Sequence, residues 1–169
     1  MSSQKSYQID RILHWVSALA ILFMLLDMGT RIHNVDYRIK GAIGHKQDAI
    51  EIHIAVAFIL LLSLICRLVW YHFFLHEEHK LKYESVNHKW LVRIVHTTMY
   101  TTLFLFMVSG TLMVTNYEHP LNIFDVIQLS EADTNNLTFN MANSWHLYFE
   151  SIIYFLILVH FIGALYNRR

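Results

Sequence analysis

The fold is decided by the stretch at residues 143–165, which reads NSWHLYFESIIYFLILVHFIGAL. It is mostly apolar and exceeds the roughly 20 residues that a helix needs to cross a hydrocarbon core. Two histidines, His146 and His160, lie near its two ends. An ionisable side chain inside a bilayer is costly and usually serves a function. The stretch therefore predicts a membrane span that carries two functional imidazoles.

Three further apolar blocks precede this stretch, at 12–29, 52–71 and 91–114. The 169-residue chain is 55% hydrophobic with a mean hydropathy of +0.35, which is too apolar for an ordinary soluble domain. Because a helix satisfies its backbone hydrogen bonds internally, each block is predicted to be a transmembrane helix. We expect an all-α membrane protein, a four-transmembrane-helix bundle in a single domain. The predicted helices cover residues 8–29, 51–75, 90–115 and 143–167 of the chain 1–169.

Basic residues beside the blocks predict the orientation of the chain. Two lie before or at the start of the first helix, four between or at the edges of the second and third, and two after the fourth, so eight share one side. The opposite side carries four, all in the first outer loop. The positive-inside rule then places both termini in the cytoplasm. The inner residues are Lys5, Arg11, Lys80, Lys82, Lys89, Arg93, Arg168 and Arg169, and the outer ones are Arg31, Arg38, Lys40 and Lys46.

Five of the twelve histidines lie inside the four apolar stretches. In the predicted orientation, His14 and His160 share the inner depth, whereas His53 and His146 share the outer depth. His146 and His160 are about 21 Å apart along their helix and face broadly the same way. His96, on the inner half of the third helix, is predicted to have no histidine partner at its depth.

Four imidazoles paired at two depths suit haem iron, which takes two axial ligands on opposite faces of the porphyrin. A four-helix bundle can hold such a cofactor in its core. We therefore predict two b-type haems in the core of the bundle, each bound by two histidines. The sequence has no Cys-x-x-Cys-His motif, and its single cysteine, Cys66, lies in a span. The haems are therefore expected to be non-covalent.

Small residues lie one turn from most of these histidines, where a flat macrocycle needs room. They are Ser17, Ala18, Ala57, Gly163 and Ala164, with Gly110 on the third helix as further clearance. Small residues also serve ordinary helix packing, so the pattern fits both interpretations. Haem propionates need cations at the membrane interfaces. The candidates are Arg11 and Arg168 on the inner side and Arg31 and Arg38 on the outer side.

Two further polar residues are candidates for catalysis. His96 is either a polar residue bonded to a neighbouring helix or a quinone contact and proton donor, since imidazole titrates near neutral pH. Arg67 lies about 21 Å past His53 along the second helix, near the inner interface. It either extends its charge toward the interface or holds a propionate or a quinone.

Two loops carry weaker patterns. Three histidines after the second span share a helical face if that helix extends far enough, and they then suit zinc or copper, although a solvated helix end explains them as well. They are His72, His76 and His79. In the second outer loop, PLNIFDVIQL (120–129) predicts a short interfacial helix with Ile123, Phe124 and Ile127 facing lipid.

The chain resembles the bacterial cytochrome b-561 family, a group of small four-helix dihaem membrane proteins. The resemblance covers essentially the whole chain and is most specific in its last piece, which keeps the histidine spacing. It implies that His14 and His160 ligate an inner haem, and that His53 and His146 ligate an outer one, in a bacterial inner membrane. The matching pieces are ILHWV (12–16), IEIHIAVAFILLLSLICRLVW (50–70), IVHTTMY (94–100) and WHLYFESIIYFLILVHFIGAL (145–165).

The resemblance also implies a function. The family includes a superoxide oxidase, which passes electrons from superoxide to ubiquinone, and electron-transfer subunits such as the cytochrome of nickel-iron hydrogenase. We expect an oxidoreductase that reduces ubiquinone, with superoxide donating at the outer haem. The basic first outer loop suits capture of that anion, although headgroup anchoring explains it too.

Two other functions are considered. One is a non-catalytic conduit docked to a dehydrogenase or to a periplasmic redox partner protein. The other is a histidine-rich metal transporter, which the paired depths disfavour. The lipid bilayer is an expected partner in every case, and nucleic acid is not.

Overall fold

The computed structural model describes residues 3–27, 42–74, 86–117, 121–123, 127–129 and 136–166. Four helices contain nearly all of these residues, and all four are long and apolar enough to cross a membrane. They are α1 (Ser3–Asp27), α2 (Ala42–Phe73), α3 (Val86–Val114) and α4 (Asn136–Tyr166). The prediction of an all-α membrane protein with four spanning helices is confirmed.

The helices are longer than predicted, mainly at their starts. Helix α2 begins at Ala42 rather than at 51, and α4 begins at Asn136 rather than at 143. The ends agree within two residues, as when α1 ends at Asp27 rather than at 29. An apolar block marks only the part of a helix inside the hydrocarbon, whereas the backbone hydrogen bonds continue into the interface.

Contacts within the chain define two compact units. Unit 1 contains α1, α2 and the segment 121–129, and unit 2 contains α3 and α4. Each unit has two helices that pack along each other. The single membrane domain over 1–169 stays a prediction.

Hydrogen bonds between α1 and α2 show that these helices are antiparallel. At the start of α1, Ser6 donates its hydroxyl to the Phe74 carbonyl, and Trp70 Nε1 donates to the Ser6 carbonyl at 3.0 Å. Further along α1, the hydroxyl oxygens of Ser17 and Ser63 are 2.9 Å apart. Such small hydroxyl residues let membrane helices approach closely, and each contact between them adds about 0.6 kcal/mol.

An ion pair lies between these two sets of contacts. Arg67 Nε on α2 is 3.7 Å from Asp10 Oδ1 on α1, and the two side chains are 23% and 15% exposed. A charge placed this deep needs an opposite charge beside it. Asp10 therefore balances Arg67 at this end of unit 1.

Helices α3 and α4 are antiparallel as well. Ser109, late in α3, contacts His146, early in α4, and His96, early in α3, contacts His160, late in α4. The side chains buried on these two helices include Thr102, Leu103, Phe106, Ser109, Ile153 and Leu156.

Many of the large apolar side chains are exposed on the helix surfaces. Leu22, Phe58, Phe104 and Phe155 are all more than half exposed. Such an apolar surface is unfavourable in water and favourable against lipid tails. The exposed surface therefore agrees with four membrane-spanning helices.

The predicted interfacial helix at 120–129 is wrong. Strand β1 (Leu121–Ile123) pairs antiparallel with β2 (Ile127–Leu129), with Leu121 opposite Leu129. Both triplets alternate apolar, polar and apolar residues, which is the period of a strand. Strand β1 packs on α2, and Leu121 is 1% exposed. A contact of β1 with α2, in which Leu121 is buried, thus stands where a lipid-facing helix was expected.

We expect Asp10→Asn to destabilise unit 1 by about 1–3 kcal/mol, a value between those for exposed and buried ion pairs. The variant removes the negative charge that lies beside the partly buried guanidinium of Arg67. Thermal unfolding in detergent of Asp10→Asn, Arg67→Gln and the double variant measures the coupling. The double variant should lose less stability than the sum of the two single losses, and additive losses would contradict the ion pair.

Candidate haem-ligand sites

The register of unit 1 sets the depths of His14 and His53. Ser17 lies opposite Ser63, His14 is three residues before Ser17, and His53 is ten residues before Ser63. Since the helices are antiparallel, these offsets run in opposite directions along the axis. At 1.5 Å per residue, the two histidines are separated by about 20 Å along the helices.

The register of unit 2 sets a matching separation. His146 and His160 are both on α4, about 21 Å apart along its axis. His146 is level with Ser109 of α3, and His160 is level with His96. Each helix pair, taken by itself, therefore carries imidazoles at two levels about 20 Å apart.

His146 is held on three sides by α3. Its Nδ1 lies 3.0 Å from Ser109 Oγ. Its ring stacks on Phe106, with ring centroids 4.0 Å apart and planes 18° from parallel. The bare Cα of Gly110 faces the ring edge, since a Cβ there would lie 3.2 Å from His146 Cε1. The clearance predicted at Gly110 is thus used by the imidazole of His146.

His160 has the ring of His96 as its neighbour in unit 2. The two centroids are 5.3 Å apart and the planes meet at 79°. The prediction that His96 has no histidine at its depth is therefore wrong. It failed because His96 lies closer to the level of His160 than the span boundaries indicated.

The tautomer of His96 follows from its hydrogen bond. His96 Nδ1 lies 2.8 Å from the carbonyl oxygen of Val92. A carbonyl can only accept, so Nδ1 carries the proton and Nε2 keeps the lone pair in the neutral ring. The lone pair of His96 is therefore on Nε2, the ring nitrogen that does not contact its own helix backbone.

The five histidines of the apolar stretches, namely His14, His53, His96, His146 and His160, are half-buried. His14 also packs edge-on against Trp15, with ring centroids 5.8 Å apart. One turn later, Ser17 is buried and its hydroxyl contacts Leu13 of its own helix and Ser63 of α2. The small residue at position 17 therefore serves helix packing in unit 1.

Helix α4 has open space at Gly163, one turn after His160. Gly163 lies three residues after His160, and a Cβ added there would meet no atom of the described chain within 4 Å. A flat macrocycle beside the ring of His160 requires such a surface. The residues present on α4 therefore fit a haem ligated at this level.

The structure describes two of the arginines that were predicted to lie near haem or quinone. Arg67 lies beside Asp10 in unit 1, and Arg11 is exposed on α1. The other candidate propionate partners, Arg31, Arg38 and Arg168, lie outside the described residues.

The histidine cluster after α2 is described only at its first member. His72 is exposed and packs edge-on against Tyr71. His76 and His79 lie outside the described residues. Within the described ranges, no three His, Cys, Asp or Glu side chains are grouped as they would be for a protein-only metal site. A haem iron differs from such a site, because the porphyrin supplies four of its six ligands.

The sequence alone did not indicate three residues that contact His146 or Arg67. They are Ser109, Phe106 and Asp10. Ser109 and Gly110 are adjacent small residues in an apolar run, a signal for close helix approach. Asp10 precedes the first apolar block, where an acidic residue gives no signal of its own. Its partner on α2 becomes visible only with the register of the two helices.

Comparison with known proteins gives the family. Residues 8–169 match the family described as prokaryotic cytochrome b561. Among curated proteins and solved structures, none matches the chain significantly. The family match spans all four helices and the four histidines predicted to bind haem. The chain therefore belongs to the prokaryotic cytochrome b561 family, as a multi-pass bacterial membrane cytochrome of b type that functions in electron transfer.

Proposed function

We propose that this chain is a dihaem cytochrome that carries electrons from the outer face of the membrane to ubiquinone, with superoxide as the donor. The observation that carries the proposal is the pair of imidazole levels about 20 Å apart in each helix pair. Two cofactors at such levels divide the crossing of a bilayer core of about 30 Å into shorter steps.

Four histidines are the proposed axial ligands. The depth argument and the family resemblance pair His14 with His160 and His53 with His146. These pairs join residues of different units, so they stand as proposals. When bound, each haem supplies a one-electron carrier whose potential depends on its axial ligands and their hydrogen bonds.

The proposed reaction balances with two donor molecules for each quinone. Two superoxide anions each lose one electron and become dioxygen. Ubiquinone takes up both electrons together with two protons and leaves as ubiquinol. The outer donor site is assigned to the basic loop containing Arg31 and Arg38, because a positive surface raises the encounter rate of a small anion.

His96 is the proposed proton donor to the quinone. Its Nδ1 is held by Val92, and its Nε2 is the nitrogen that can take up a proton and release it. Arg67 is the second proposed catalytic residue, at the inner end of α2. The Asp10 carboxylate beside it offsets its charge, which favours a neutral ligand such as a quinone over a propionate.

The proposed orientation keeps both termini in the cytoplasm, in the inner membrane of a bacterium. It rests on the excess of basic residues at the inner loop and termini. Protons for ubiquinol formation at an inner site would then come from the cytoplasmic side.

Purified protein should contain two low-spin b haems per chain, measured by the pyridine haemochrome assay. His53→Ala is expected to lose one haem and His14→Ala the other, because an axial ligand is removed at each level. His72→Ala is the matched control and should keep both, since its ring is exposed at the end of α2. Loss of the same haem from His53→Ala and His14→Ala would refute the pairing.

Purified protein alone should reduce a ubiquinone analogue when superoxide is generated enzymatically. The rate is followed by ubiquinol formation, with protein lacking haem as the control. A protein that takes electrons from superoxide without reducing quinone, or that needs an added partner, would instead be the non-catalytic conduit.

His96→Gln is expected to slow quinone reduction by about 100-fold, the lower end of what a positioned proton donor contributes. The measurement is stopped-flow reoxidation of the reduced protein by a ubiquinone analogue. Thr97→Val, at the exposed neighbouring position, should leave the rate unchanged. An unchanged rate in His96→Gln would rule out the proton-donor role. Loss of haem in parallel with rate would assign His96 to support of His160 instead.

A further inference from the structure

We infer that Ser109 of α3 is a positioning residue that sets the tautomer and ring plane of His146, so that Nε2 is the nitrogen presented to iron. The inference rests on the proposed function in one respect, namely that His146 is an axial ligand. Everything else in it lies within the α3–α4 pair.

The direction of the hydrogen bond follows from counting protons. Ser109 has one hydroxyl hydrogen, and its Oγ lies 2.8 Å from the carbonyl oxygen of Phe106. That carbonyl cannot donate, so the hydroxyl hydrogen points to it. The oxygen of Ser109 is then an acceptor toward His146 Nδ1, 3.0 Å away. Both contacts are satisfied together only when Nδ1 carries a proton.

The tautomer decides which nitrogen can bind metal. A neutral imidazole with hydrogen on Nδ1 has its lone pair on Nε2. Metal-binding histidines generally donate their second ring N–H to an acceptor, which fixes the ring and raises the basicity of the ligating nitrogen. Ser109, which is 4% exposed, provides that acceptor from inside the helix pair.

Two neighbours of Ser109 restrict the ring further. Phe106, one turn earlier on α3, covers one face of the imidazole, and such a stacked pair contributes about 0.5–1.5 kcal/mol beyond its buried area. Gly110, the next residue, brings the α3 backbone against the ring edge. The segment from Phe106 to Gly110 therefore contacts the imidazole of His146 on three sides.

The inference predicts the sign of an electrochemical effect. A hydrogen bond from Nδ1–H makes the imidazole a stronger electron donor, which favours the ferric state. Removing the acceptor weakens this donation and raises the reduction potential of the haem at this level. A residue that only filled space would not change the potential in a defined direction.

The test uses full-length protein carrying Ser109→Ala. We expect the potential of one haem to rise in a redox titration, the ferric electron paramagnetic resonance signal of that haem to shift, and its retention to weaken by about tenfold. Ser109→Thr keeps a hydroxyl and should restore the potential. Ser151→Ala is the matched control, since Ser151 is an exposed serine of α4 that donates to a carbonyl of its own helix, and it should change neither haem.

A wild-type potential and wild-type resonance signal in Ser109→Ala would overturn the inference. A second measurement applies if that variant does not fold: nitrogen-15 NMR of the reduced, diamagnetic protein, with the His146 signal assigned by its absence in His146→Ala. A His146 Nδ1–H signal that is shifted downfield and exchanges slowly with water, as a hydrogen bond to Ser109 requires, supports the inference, and an Nδ1–H signal without these features overturns it. If His146→Ala keeps both bis-histidine haems, the ligand assignment itself fails, which is distinguishable from failure of the Ser109 role.

Discussion

The register of each antiparallel helix pair is the constraint on which the arrangement of this protein depends. A helix rises 1.5 Å per residue, so a shift by one turn would move an imidazole by about 5 Å relative to its neighbours. In unit 1 the register is set by two serine contacts and one ion pair. In unit 2 it is set by the contacts of His146 and His160 with α3. Few polar groups thus fix the depths of His14, His53, His96, His146 and His160 within the two helix pairs.

Serine hydroxyl groups within the spans have hydrogen-bond partners on two helices. The hydroxyl oxygens of Ser17, Ser63 and Ser109 each lie within hydrogen-bond distance of a carbonyl of their own helix and of a group on the neighbouring helix. Since each serine has one hydrogen, either Ser17 or Ser63 donates to the other. In hydrocarbon an unsatisfied polar group is costly, so a hydroxyl with two partners links helices without leaving a group unpaired. At Ser109 the second partner is an imidazole, and a packing contact then also acts on ligand chemistry.

The four spans were predictable from the sequence, and the candidate histidines could be singled out there, for a physical reason. A transmembrane helix must be apolar over a set length and can tolerate few ionisable residues, so both signals are strong in a single sequence. The paired strands at 121–123 and 127–129 were missed because a short segment of a loop carries no comparable length constraint. Each strand alternates apolar, polar and apolar residues, and β1 packs on α2. These features favour paired strands over the helix that the apolar residues had indicated.

The sequence by itself determined that four helices cross a membrane, that five imidazoles lie within their apolar stretches, and that two of these are four turns apart on one helix. These properties depend on local composition and on the fixed rise of an α-helix. Only the tertiary structure decided that His96 lies against His160, that Asp10 balances Arg67, and that Ser109 holds His146. Each of these contacts joins residues far apart in the chain, and their meeting depends on the register of two helices, which no single helix encodes.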